Sequence, residues 1–103
     1  MNPAAHTQEP LPETPELLAV ARRVVWFKEP AQALRDAGHL ISHALTFGTA
    51  EDVRILRQVV SDETLRVHLQ HAPAGVFDAR SWAYWTLMLD LPAGLPMPKR
   101  SLP

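Results

Sequence analysis

Cysteine is absent from all 103 residues, which removes disulfide frameworks and thiolate metal sites and fits a reduced compartment. No sign of charge dominates either: 10 Lys plus Arg stand against 11 Asp plus Glu, a formal net charge of −1, and the two signs are mixed along the chain. A basic nucleic-acid groove or a surface for anionic membranes is therefore not expected. Long apolar runs are missing too, since the run at residues 81–89 falls far short of the ~20 residues that a membrane span needs. Residues 1–14 lack both the basic start and the apolar stretch of a signal peptide, carrying three prolines with Gln8, Glu9 and Glu13 instead. A cytoplasmic protein is expected. Catalytic patterns are also missing: no GxSxG, Walker A, GxGxxG or paired-carboxylate motif occurs, and Ser61 and Ser81 are better explained as helix-start residues than as nucleophiles. The chain is not expected to be an enzyme or to carry a cofactor.

What is abundant is apolar residues, at 47%, and helix punctuation, much of it from 10 prolines. With this length there is room for one domain and one modest core. Residues 1–14 read as a flexible Pro-rich arm, residues 15–91 as a single helical domain, and residues 92–103 as a Pro-rich, extended tail with Lys99 and Arg100 near its end. Thr14 as N-cap and Pro15 in the first turn open a helix ending near Val25, after which Trp26 and Phe27 fold back as anchors. Pro30 opens a second helix reaching about Phe47. Gly38 within it points to close packing or a local kink, and Gly48 to a C-terminal glycine stop. Thr49 with Asp52 resembles a capping box for a third helix at residues 50–60, with Val53, Ile55, Leu56, Val59 and Val60 inward. Ser61 caps a fourth, thinly apolar helix that Pro73 ends.

Residues 77–91 hold two of the three tryptophans and the only tyrosine, and are expected to form the central helix. Asp78 is its N-cap, and Phe77 and Trp82 are spaced as a hydrophobic staple. Large apolar side chains go almost all the way round, so burial on most sides is expected, by the chain itself or by a partner. The fold class is thus all-α: a compact cluster of about five short helices with Pro-rich, extended termini.

Three kinds of site compete. The aromatic group Trp26, Phe27, Phe47, Trp82, Tyr84 and Trp85 exceeds what a core this small buries easily, and Trp and Tyr are favoured interface anchors. The expected partner is a cognate protein, with a homodimer as the self-associated version. The third and fourth helices, joined tightly at Ser61, imitate a helix-turn-helix, although the would-be recognition helix, Asp62 to His71, offers only Arg66, Gln70 and two histidines against the acids Asp62 and Glu63, and sequence-specific DNA readers usually carry more positive charge. His39 and His43 share a helix face at i, i+4 and are the nearest thing to a metal-ligand pair. That face also carries Arg35, Asp36 and Thr46, so solvated histidines are expected; a four-histidine site with His68 and His71 would need two helices to align.

The stretch Leu40-Ile41-Ser42-His43-Ala44-Leu45-Thr46-Phe47-Gly48-Thr49 resembles the F-I-I-x-R-x-L-x-Y-G-D segment of a family of small helical proteins often encoded beside abortive-infection-type nucleotidyltransferase toxins. Ser81-Trp82-Ala83-Tyr84-Trp85-Thr86-Leu87-Met88-Leu89 resembles the same family's closing S-A-N-F-W-A-L-L-L, and Trp26 stands where the family has an early tryptophan. Phe27, His43 and Thr49 replace the family's Asp, Arg and Asp. The resemblance implies an antitoxin-like role: neutralising a nucleotidyltransferase partner by contact, with no catalytic residues of its own.

Overall fold

Each helix begins where a side chain satisfies an amide that the helix itself leaves free. In a computed structural model, which describes residues 10–92 and 94–98, these starts define α1 (Pro15–Val24), α2 (Pro30–Arg35), α3 (Ala37–Phe47), α4 (Ala50–Arg57), α5 (Asp62–Gln70) and α6 (Ala79–Met88). Thr14 Oγ1 accepts from Leu17 N at 3.1 Å, Ser61 Oγ from Thr64 N at 3.1 Å, and Asp78 Oδ1 from Ser81 N at 2.7 Å. Thr49 and Asp52 form the reciprocal capping box. Phe77 and Trp82 meet edge to face at 5.4 Å, closing the expected staple. The fold is all-α, with no strand among the described residues.

Among the described residues six helices replace the expected five, because the second breaks in two at Asp36. With φ −105° and ψ 75°, Asp36 leaves the helical region; its N–H donates to Ala33 O, closing α2, and its carboxylate accepts from His39 N, opening α3. Gly38 is not the kink. It is where α3 and α5 come close, since a Cβ there would lie 3.5 Å from the His68 ring.

The centre of the fold is α3 and not the tryptophan-bearing helix. α3 packs against α1, α2, α4, α5 and α6, and buries Ala37, Leu40, Ile41, Ser42, His43, Ala44 and Leu45. Its small residues allow neighbours to approach on several sides at once. The bulk of α6 works the other way. Trp82, Trp85 and Leu89 point into the core, while Tyr84, Leu87 and Met88 remain exposed, so α6 is an ordinary one-sided helix lying on α3.

Other boundaries also shift. Residues 1–9 of the expected arm lie outside the described residues, but Leu11 is buried and its N–H donates to Leu34 O at 2.8 Å, so residues 10–14 belong to the domain. α4 stops at Arg57, leaving Val60 buried but Val59 turned outward. α6 stops at Met88, ahead of Pro92, with Leu91 N donating to Thr86 O and Asp90 at φ 60°. Beyond it the chain lies against the domain: Leu95 and Met97 pack on the core, and the Leu95 carbonyl accepts from Trp82 Nε1 at 2.8 Å. Lys99 and Arg100 lie outside the described residues.

Gly48 closes α3 in an extended conformation, φ −74° and ψ 160°, and not in the left-handed one. Glycine is needed for space: a Cβ at this position would sit 2.6 Å from Ala44 O. Gly48→Ala is accordingly expected to cost about 1–3 kcal/mol by overpacking. Gly38→Ala, which has room and gains helix propensity, is expected to stabilise by about 0.5 kcal/mol. Denaturant titration of both variants checks the opposite signs.

Candidate docking ridge of exposed aromatic side chains

The six aromatic residues singled out from the sequence divide into core and surface. Trp82 and Trp85 are only 6% exposed, and each indole N–H donates to a backbone carbonyl at 2.8 Å, Leu95 O and Leu45 O respectively. They are structural and offer a partner nothing. Trp26, Phe27, Phe47 and Tyr84 are 78%, 53%, 63% and 53% exposed.

Trp26 and Phe27 do not fold back as anchors because Val24 and Val25 already occupy the inside positions. Val25, at φ −126° and ψ 60°, ends α1, and Lys28 N donates to Val25 O, so the tight turn before Pro30 throws the next two side chains outward. Phe27 meets Trp26 edge to face at 5.5 Å and approaches the rings of His43 and His39 at 5.8 and 6.1 Å. His39 and His43 lie 4.1 Å apart, and His43 is 5.7 Å from Phe47. Trp26, Phe27, the two imidazoles and Phe47 thus make one continuous ridge, beside a hollow of about 380 Å³ that also touches Arg23 and Val24.

The histidines of α3 are not solvated as expected. His43 is buried, flanked by Phe27 and Phe47, and its Nδ1 lies 2.9 Å from His39 O; His39 is half-buried. Burial, then the neighbouring charges of His43 and Lys28, hold the His39 imidazole below its ordinary pKa, with Asp36 working in the opposite direction. The neutral form is therefore favoured in the folded chain. Stability from this source is complete above the unfolded value of about 6.5 and is lost as pH falls through the lower folded value. Between pH 7 and pH 5 the wild-type chain is expected to lose more stability than His39→Gln. Equal losses in parallel denaturation curves would refute the assignment.

Where α1 meets α4 lies a pair that sequence patterning did not reveal. Asp52 is 1% exposed; it accepts from Thr49 N at 3.1 Å and from Arg23 Nε at 2.9 Å, with Arg23 Nη2 also in contact. Burial pushes the Asp52 carboxyl upward, but the hydrogen bonds from Arg23 and from the Thr49 backbone, with the Arg23 charge, outweigh it and hold the group below the usual carboxylate range.

The remaining candidates separate in space. His68 packs beside Gly38, whereas His71 is exposed with Nδ1 2.9 Å from Val67 O, so the four histidines do not converge. Among the described residues no group of three or more His, Asp or Glu is arranged to hold a metal ion. α4 and α5 pack on α3 and spend their arginines on carboxylates: Arg54 on Glu51, Arg57 on Asp62 at 2.8 Å, and Arg66 on Glu63 at 3.3 Å. A second concavity of about 420 Å³, between α4 and α6, is bordered by Val53, Arg57, Arg80 and Tyr84. No helix among the described residues is long and apolar enough to cross a membrane. In comparisons with known proteins, the chain matches no family model, no curated protein and no solved structure.

Proposed function

We propose that this chain is a non-enzymatic protein-binding module, antitoxin-like, that neutralises a nucleotidyltransferase-type partner by direct contact. The observation that carries the binding role is the ridge: three large aromatic side chains, 53–78% exposed, stand together on one face around two imidazoles. Apolar residues scattered singly over a surface are ordinary, but a contiguous aromatic set marks an interaction site. Trp and Phe rings bury a large area each, and Trp is among the residues enriched in binding hot spots. The choice of partner rests on the resemblance carried by residues 40–49 and 81–89. Within those segments Leu40, Ile41, Leu45, Trp85 and Leu89 build the core, while Phe47 and Tyr84 are at the surface where a partner can reach them.

A DNA-binding regulator built on α4 and α5 is less well supported, because the carboxylates paired with Arg54, Arg57 and Arg66 compete with phosphate for the same guanidinium groups. Co-expression with the product of the neighbouring reading frame tests the proposal. Co-purification and relief of that product's toxicity are expected. A toxic neighbour that the chain neither binds nor relieves would defeat the antitoxin role.

A further inference from the structure

The two imidazoles on α3 form a chelating pair. His39 and His43 are one helical turn apart, on the same face, with ring centroids 4.1 Å apart and planes inclined by 47°. The contact between His43 Nδ1 and His39 O, 2.9 Å long, settles the tautomer, because a backbone carbonyl only accepts. Nδ1 carries the proton, so in the uncharged ring the lone pair lies on Nε2. This is how metal-ligating histidines are commonly held: one ring nitrogen donates to a carbonyl and fixes the ring, leaving the other for the ion. No hydrogen bond holds either ring nitrogen of His39 among the described residues.

Two nitrogens that share a tetrahedral ion at about 2.0–2.1 Å each lie roughly 3.3 Å from one another. A shared tetrahedral ion sets the two ring centroids roughly 5 Å apart, so from the 4.1 Å seen here the half-buried His39 ring swings outward about χ1 and χ2 while His43 stays on its carbonyl. Phe27 and Phe47 flank the pair and restrict where His43 can go. We infer that His39 and His43 bind one divalent transition-metal ion of the imidazole-preferring class, such as Zn²⁺, Ni²⁺ or Cu²⁺, through their Nε2 atoms. The other coordination positions are to be filled by water or by a donor from a bound protein. Two protein ligands place the affinity in the micromolar range or weaker, and it rises from Co²⁺ through Ni²⁺ to Cu²⁺ as imidazole sites do. The site needs no partner and does not depend on the antitoxin reading.

The test uses the full, untagged, ¹⁵N-labelled chain titrated with zinc chloride, with long-range ¹H–¹⁵N spectra reporting each imidazole nitrogen. Saturable 1:1 shifts of the Nε2 atoms of His39 and His43 are expected. His39→Gln, a change at a half-buried position, is expected to weaken binding at least tenfold while the far-ultraviolet circular dichroism is unchanged. His6→Gln and His71→Gln are expected to leave it unaltered. Millimolar zinc that leaves both Nε2 resonances in place would overturn the site, as would a His39→Gln chain that binds zinc as tightly as the wild type.

Discussion

Trp85→Ala is expected to lower the free energy of unfolding by about 3–5 kcal/mol, while Trp26→Ala changes it by no more than about 0.5 kcal/mol. The two tryptophans differ in what they touch. Trp85 is 6% exposed and fills the seam between α6 and α3, whereas Trp26 is 78% exposed. Trp85 also closes a backbone vacancy. Leu45 O belongs to the last turn of α3, where carbonyls lack helical partners; Thr49 N, one turn on, is already committed to Asp52 Oδ2 at 3.1 Å. The indole N–H of Trp85 supplies the missing donor at 2.8 Å. Alanine therefore opens a large cavity and leaves a buried acceptor unsatisfied in one step. Denaturant titration of both variants gives the comparison. Similar losses for the two would mean that the division of the aromatics into core and ridge is wrong.

Asp52→Asn is expected to cost about 2–4 kcal/mol, the second-largest effect on the fold. Its carboxylate does two jobs from a buried position, accepting the Thr49 N–H that completes the α4 capping box and pairing with Arg23 of α1. Asparagine keeps the volume but has one acceptor oxygen, no charge, and an amide N–H₂ that faces the Arg23 guanidinium unfavourably. Half of the Arg23 side chain is exposed, so solvent screens part of the attraction, and the capping box carries a share of the loss. The pH dependence isolates the ionic part. Because the folded Asp52 carboxyl is held below its unfolded value of about 3.9, its contribution is present above that value and is lost as pH falls further. The gap between wild type and Asp52→Asn should be flat from pH 8 to pH 5 and narrow below about pH 4. This window lies apart from that of His39. A gap that does not change down to pH 3 would contradict the ionic role.

Helix starts were legible because they depend on chemistry within four residues: Thr14, Thr49, Ser61 and Asp78 cap as their spacing implies. The centre of the fold was not legible in the same way. Counting large apolar residues favours α6, but being enclosed on several sides depends on how near other helices can come, and that is decided by the small residues Ala37, Gly38, Ser42 and Ala44 of α3. Asp36 hid a break because a residue that ends one helix and caps the next looks, in a run of helix formers, like an ordinary exposed acid. The ridge was half legible. Trp26, Phe27 and Phe47 could be named, but the burial of His43 between Phe27 and Phe47 depends on a turn at residues 25–29 that helical periodicity does not describe. The partnership of Asp52 with Arg23 spans 29 residues and leaves no local trace.

The most direct measurement is quantitative affinity capture from extract of the native host, comparing the wild-type chain with a Trp26→Ala, Phe27→Ala double variant whose unfolding transition is shown to be unchanged. One host protein should be enriched by the wild type and recovered at least tenfold less by the double variant, since two exposed aromatic anchors are each expected to contribute more than about 1 kcal/mol to the contact. Recovery of the same protein in equal amount by both chains, or no specific recovery by the wild type, would contradict the ridge as the working surface.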